Sequence, residues 1–200
     1  MLASGTGSNL QAILDRLQGK GAVEVVAVAS DKPGAKALEK AALADVETRV
    51  FERSAYETRE TRDLAMADWL ESRGVELVVL AGYMQLLSAG FIARFPARVI
   101  NVHPALLPSF PGLDAIGQAY RHGVRVSGVT VHFVDAGMDT GPIIMQQAIE
   151  LTYTRPIEEF EAQVHRVEHE LLPKAIEMIA AGRVRIDEAN PRLVRIENDE

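Results

Sequence analysis

Asn101 and His103 stand two positions apart at the end of the run Arg98-Val99-Ile100-Asn101-Val102-His103, which Pro104 closes. Alternate residues of an extended chain point to the same side, so an amide and an imidazole share one face there. The amide can donate and accept, and the imidazole titrates near neutrality. Side by side they suit stabilisation of an oxyanion developing on a carbonyl, coupled to proton transfer. Alone, an Asn-x-His is as well explained by a hydrogen-bonded structural pair at a strand end.

A carboxylate approaching His103 would orient the ring and favour its charged form. The loop Val134-Asp135-Ala136-Gly137-Met138-Asp139-Thr140-Gly141-Pro142 offers two. Spacing does not choose between Asp135 and Asp139, and both also suit ordinary turn roles. His132, alternating with Val131 and Phe133, reads as structural, and His122 beside Gly123 reads as a helix-end cap. His165 and His169 are four apart on a helix, but no Glu directly follows the first and no third ligand is evident, so no metal is expected.

A second constellation lies at the start of the chain. Ser4-Gly5-Thr6-Gly7-Ser8-Asn9 precedes the helix-like Leu10-Gln11-Ala12-Ile13-Leu14. Glycines permit a tight turn, and the free N–H groups of the helix start then meet an anion at the positive end of the dipole. Ser8 is expected to cap the helix as well as bond the anion. The turn lacks the Lys-Ser/Thr of a P-loop and is no clean dinucleotide fingerprint, so a plain capped turn is the alternative to a phosphate cradle. Only Met1-Leu2-Ala3 precede it, where a strand of about five residues is usual. Either the strand is a stub or the sequence starts downstream of the natural initiator, and the second is the expectation.

These groups need a scaffold, and the apolar pattern supplies one. Strands are predicted over 22–29, 48–51, 75–81 and 98–102, with helices over 35–44, 56–72 (ending at Gly74) and 88–95 between them. Such alternation indicates an α/β domain with a mostly parallel central sheet and helices on both faces. Beyond the Pro-rich stretch 104–112 a helix is predicted over 114–121, then antiparallel strands over 127–133 and 142–150. One long closing helix comes next over 157–181, with Pro173 as a candidate bend. Residues 191–200 read as a loosely held polar tail. Ligands of open α/β sheets bind beyond the carboxyl ends of the strands, where Asn101 and His103 fall.

Composition narrows the function class. The 200 residues are 48% hydrophobic and 24% charged, within the globular range. The net charge of −7 has the wrong sign for non-specific attraction to nucleic acid or anionic membrane. There are no cysteines, which excludes disulfides, thiolate catalysis and cysteine-ligated metals. No apolar run approaches the roughly 18 residues of a membrane-spanning helix, and no signal-peptide layout opens the chain. A cytoplasmic enzyme or binding protein is expected.

Four segments, SGTGSNLQAI, VVLAGYMQLLS, INVHPALLPSFPG and GVTVHFVDAGMDTGPII, occur in order over nearly the whole chain. They resemble the hallmark segments of the glycinamide ribonucleotide formyltransferase family. The Asn-x-His-Pro-x-Leu-Leu-Pro segment is shared by enzymes that use 10-formyltetrahydrofolate; the early Ser-Gly-x-Gly-Ser-Asn turn narrows the match. The resemblance implies a single Rossmann-like domain over 1–190, its N-terminal half on the ribonucleotide side and its C-terminal half on the folate side. It implies 10-formyltetrahydrofolate as co-substrate and the catalytic trio Asn101, His103 and Asp139, selecting Asp139 over Asp135. It further implies that Gly7, Ser8 and Asn9 hold the substrate phosphate and that Met84, Gln85, Leu86 and Leu87 line the folate pocket. Asp135, Ala136, Gly137 and Met138 then belong to a loop contacting the pterin, Arg59 to the folate side, and Glu168 to the substrate's glycinamide end. The chain departs from many members at Ser109 (commonly Lys), at Asp114-Ala115-Ile116-Gly117 (commonly with a His) and at Gln85 (Arg in some).

The same resemblance implies an enzyme of purine biosynthesis that moves a formyl group to the amine of glycinamide ribonucleotide. Its expected partners are these small molecules, without nucleic acid or membrane, in a monomer or homodimer. A formyltetrahydrofolate hydrolase and a non-catalytic Rossmann-like nucleotide-binding module are the alternatives. The first would be expected to carry an N-terminal regulatory domain, and the second leaves the trio unexplained. A methionyl-tRNA formyltransferase would be expected to extend into an RNA-facing domain.

Overall fold

Met1 to Ala3 act as a strand in spite of their brevity. Leu2 bridges in parallel to Ala29 on one side and to Leu80 on the other. The Leu2 N–H donates to the Val79 carbonyl at 2.8 Å and the Ala29 N–H to the Met1 carbonyl at 2.8 Å. Leu2 is fully buried. The computed structural model describes residues 1–154 and 156–197. The chain divides into two compact units, one over Met1–Asn101 and one from Val102 onward.

In the first unit β1 (Ala27–Ser30) pairs in parallel with β2 (Glu47–Val50), and β3 (Val78–Leu80) with Val99 to Asn101 of β4 (Val99–His103), whose last two residues belong to the second unit. The Leu2 bridges complete the order β2, β1, Leu2, β3, β4, all parallel, as the alternating pattern predicts. The strands are shorter than predicted because local bonds compete for their first N–H groups. The Val25 N–H goes to the Gln18 side chain at 2.8 Å, and the Val75 N–H to the Leu70 carbonyl at 3.2 Å. Four helices belong to this unit: α1 (Ser8–Leu17), α2 (Lys36–Leu43), α3 (Arg59–Ser72) and α4 (Ala89–Arg94). The α3 start falls three residues after the predicted Tyr56, because Thr58 and Thr61 form a reciprocal capping box there. Gly74, at φ 68°, follows its last turn in the left-handed region that glycine adopts at low cost. Phe51, Met66, Leu70, Phe91, Phe95 and Ile100 are buried in the core of this unit.

The second unit is antiparallel. Helix α5 (Ala115–His122) leads into β5 (Val126–Phe133) and β6 (Ile143–Glu150), whose register shifts between Val131 and His132. Helix α6 (Ile157–Ala180) runs through Pro173 and packs on β5 and β6, burying Phe160, Val164, Leu171, Leu172 and Ile176. Each such side chain contributes about 1.5–3 kcal/mol when fully removed from water.

Residues 191–200 are not simply a loose tail. Within them β8 (Val194–Ile196) pairs antiparallel with β7 (Val184–Ile186). The signal was the alternation of Val194 and Ile196 around Arg195, too short to stand out in a polar stretch. Residues 198–200 lie outside the described residues. Among the described residues no helix is long and apolar enough to cross a membrane.

Candidate active site

Asn101 and His103 are the last two residues of β4 on one side, with Val99, Ile100 and Val102 buried around them. The side chain of His103 is itself buried, and its surroundings are built from loops of the second unit. After Pro104 the chain is held by Thr130 of β5. The Thr130 hydroxyl donates to the Ala105 carbonyl at 2.7 Å and accepts the Leu107 N–H at 3.1 Å. Gln146 of β6 adds bonds from its amide to Thr130 Oγ1 and to the Leu107 carbonyl, both at 2.9 Å. This clamp carries the loop to Phe110, which adopts φ 54° and turns its carbonyl to His103 Nε2 at 2.8 Å. A carbonyl only accepts, so Nε2 carries a proton in this arrangement.

The other ring nitrogen faces Asp139. His103 Nδ1 lies 3.5 Å from Asp139 Oδ2, and the same oxygen accepts the Gly112 N–H at 2.7 Å. Asp139 adopts φ 55° within the loop after β5. Geometry thus separates the two acids that spacing left equivalent. Asp135 turns back into its own loop, accepting the Gly137 N–H at 3.0 Å and the Thr140 hydroxyl at 2.7 Å. That is the local Asx turn such a residue favours. Burial pushes the Asp139 carboxyl up. The hydrogen bond from His132, the Gly112 N–H and the charges of His103 and His132 outweigh burial and hold it below its ordinary value.

His132 is the residue that sequence reading missed. Its Nε2 lies 3.6 Å from Asp139 Oδ1, and its Nδ1 bonds the Phe133 carbonyl at 2.8 Å. The register shift of β5 at Val131/His132 re-aims the side chain, a common use of a bulge beside a site. Thr130 and His132, polar residues of one face in an otherwise apolar strand, were the available signal. Arg192, in the stretch read as a tail, donates to the Thr140 carbonyl at 2.9 Å and so braces the loop next to Asp139.

The remaining predicted residues fall in three places. Gly7, at φ 67°, occupies the cap position of α1, and no side chain caps that end. Ser8 is the first helical residue rather than the cap, which corrects the expected dual role. No acid lies in the first turn, and Lys40 Nζ donates to the Gly7 carbonyl at 3.3 Å. Asn9 is buried. Arg59 is exposed at the start of α3, and in the segment after β3 Met84 and Leu86 are exposed while Leu87 is buried. Gln85 is tied to Asp31 at 3.1 Å. In the second unit Asp135 is half-buried and Ala136, Gly137 and Met138 are exposed. Glu168, on α6, is buried and bonded to His165 Nδ1 at 3.0 Å. His122 stacks edge-on against Phe110 at 5.7 Å between ring centres. Among the described residues no group of three His, Cys, Asp or Glu side chains could hold a metal ion.

Residues 1–176 match the formyl transferase family. The chain belongs to that family. It is 42% identical to phosphoribosylglycinamide formyltransferase of Bacillus subtilis (strain 168), over 90% of this chain and 92% of that one. It is 38% identical to the bovine trifunctional purine biosynthetic protein adenosine-3, where the whole chain corresponds to 20% of the longer protein. The crystal structure of glycinamide ribonucleotide transformylase 1 from Symbiobacterium toebii superimposes with a TM-score of 0.93 at 44% identity. That match covers 98% of this chain and 92% of the other. In a formyl transferase the reacting carbon is a carbonyl, the centre for which an amide donor beside an imidazole is suited.

Proposed function

We propose that the chain transfers the formyl group of 10-formyltetrahydrofolate to the amine of glycinamide ribonucleotide, in purine biosynthesis, by direct attack. The observation that carries this reading is the approach of Asp139 to His103 at 3.5 Å, two residues beyond Asn101, in a member of the formyl transferase family. Attack of the amine on the formyl carbon puts negative charge on oxygen. The Asn101 amide donates to that oxygen, and His103 adds positive charge when both ring nitrogens are protonated. Both nitrogens face acceptors, Phe110 O and Asp139 Oδ2, an arrangement that the doubly protonated ring satisfies at each. For proton delivery toward the folate nitrogen, Nε2 exchanges the Phe110 carbonyl for substrate. The new C–N bond gives a tetrahedral intermediate, which collapses as the bond to N10 breaks: His103 gives its proton to N10, and the amine's proton leaves through the same site. Positioning two substrates in line supplies up to about 7–11 kcal/mol in favourable cases.

Around this centre, Gly7, Ser8 and Asn9 are assigned to the substrate phosphate and Glu168 to its glycinamide end. Arg59, Met84, Gln85, Leu86, Leu87 and residues 135–138 are assigned to the folate. The net charge of −7 supports small-molecule partners in the cytoplasm over nucleic acid or membrane surfaces, in a monomer or homodimer and without a metal. The test is an assay of the purified protein with 10-formyltetrahydrofolate, with and without glycinamide ribonucleotide. Formylated acceptor is expected; formate released equally without acceptor makes the chain a hydrolase, and no turnover makes it a binding module. Asn101→Ala and His103→Ala should each lower turnover by about 10²–10³ while the fold stays intact.

A further inference from the structure

Residues 82–88 follow β3 without regular secondary structure, so their course is set by anchors other than a sheet ladder. Three side chains of the same unit provide them. Ser4 Oγ accepts the Met84 N–H at 2.9 Å, and Asp63 Oδ2 accepts the Ser88 N–H at 2.7 Å. Asp31 Oδ2 accepts from Gln85 Nε2 at 3.1 Å. Between the anchors exposure alternates: Tyr83 and Gln85 are half-buried, whereas Met84 and Leu86 are 54% and 50% exposed. An extended stretch therefore turns two large apolar side chains outward while its opposite edge is tied down.

Two of the anchors bind backbone and would serve almost any residue. Asp31 alone reads a side chain. It lies directly after β1, where buried Ser30 accepts the Lys32 N–H on its hydroxyl at 3.1 Å, so the backbone carrying the carboxylate is itself held. Asp31 Oδ1 is buried and takes no hydrogen bond among the described residues, which leaves Gln85 as the donor this carboxylate has. A charge-assisted bond of that kind is stronger than a neutral one.

We propose that Asp31 is a positioning residue for the folate side of the site. It holds Gln85, and through Gln85 it sets the rotation of the segment that presents Met84 and Leu86. This rests on the assignment of residues 84–87 to the folate. Nothing in it requires Asp31 to touch a substrate.

The test is a double-mutant cycle read by two independent measurements: steady-state kinetics, and calorimetric titration with tetrahydrofolate, the unreactive product. Asp31→Ala is expected to weaken folate binding and raise the folate KM by roughly three- to tenfold, with kcat and the KM for glycinamide ribonucleotide little changed. Asp31→Asn keeps an acceptor oxygen for Gln85 and should restore affinity to within about twofold. Gln85→Ala, which also removes a side chain assigned to the folate, should weaken folate binding at least as much as Asp31→Ala, and the double variant should lose no more than Gln85→Ala. An unchanged folate affinity in Asp31→Ala, or a loss shared equally by both substrates with a lowered melting temperature, overturns the proposal. A wild-type chain that binds tetrahydrofolate without transferring formyl overturns the reaction alone, because the affinity is read without turnover. A wild-type chain that binds no folate overturns both.

Discussion

His132 Nε2 lies 3.6 Å from Oδ1 of Asp139, while the second oxygen of that carboxylate faces His103 Nδ1 at 3.5 Å. One half-buried carboxylate therefore orients two imidazoles, and the Gly112 N–H fixes its plane. Without it, His103 keeps its bond to Phe110 but loses the partner facing Nδ1. Asp139→Ala should lower kcat by about 10²–10⁴, the range of a general acid–base contribution. His132→Ala should cost less, because His103 would still face the carboxylate. Steady-state kinetics decides; a kcat for Asp139→Ala close to wild type removes Asp139 from the mechanism.

Acid stability offers a separate reading of the same carboxylate. Burial opposes the ionised form, yet His132, the Gly112 N–H and His103 together leave the folded value below the unfolded one, which is about 3.9. A depressed carboxyl contributes stability that is present above the unfolded value and lost as pH falls through the folded one. Urea unfolding measured from pH 5 downward should therefore show wild type losing stability more steeply below about pH 4 than Asp139→Asn. Parallel profiles would contradict the depressed value.

On α6 the sign is reversed. The hydrogen bond that His165 Nδ1 donates to Glu168 raises the His165 value, burial lowers it, and the charges of Glu168 and Glu161 raise it further, with a net upward shift. A raised imidazole contributes stability that is complete below the unfolded value, about 6.5, and is lost as pH rises through the folded value. The ring is half exposed, so the pair is worth only about 0.2–1 kcal/mol. Titration of the His165 ring protons by NMR should give a midpoint above the ordinary histidine value, falling in Glu168→Gln. A wild-type midpoint at or below about 6.5 would falsify the pairing.

The glycine turn before α1 permits a controlled comparison. At Gly7, with φ 67°, an added Cβ would lie 2.7 Å from Ala37 Cα on α2. Backbone meeting backbone cannot yield by a side-chain rotation. Gly5 has nothing within 4 Å of the same added atom. Gly7→Ala should destabilise by about 2–4 kcal/mol, from the left-handed backbone and the clash together, and should weaken binding of the ribonucleotide phosphate. Gly5→Ala should stay within about 1 kcal/mol of wild type. Equal urea midpoints for the two variants would show that α2 does not press on the turn.

The elements that carry the chemistry were legible because their signals are local. The run 98–103 ends at a proline, and Gly74 and Gly123 follow helices whose periodicity has stopped. Element starts were less legible where a side chain or a helix end captured an N–H, as Gln18 does with Val25. The strand role of Met1 to Ala3 was hidden because three residues carry no periodicity; their pairing depends on Ala29 and Leu80, far away in the chain. Residues 194–196 were hidden for the same reason.

By itself the sequence determined that an amide and an imidazole share one side of a strand end, that a glycine turn opens a helix, and that no thiol takes part. These conclusions rest on bond geometry and residue chemistry within a few positions. Tertiary structure decided which acid meets the imidazole. Asp135 and Asp139 are alike in type and setting, and only the left-handed backbone at Asp139, the Gly112 N–H and the register shift at His132 distinguish them. Each of those depends on a contact between distant parts of the chain, which no local pattern encodes.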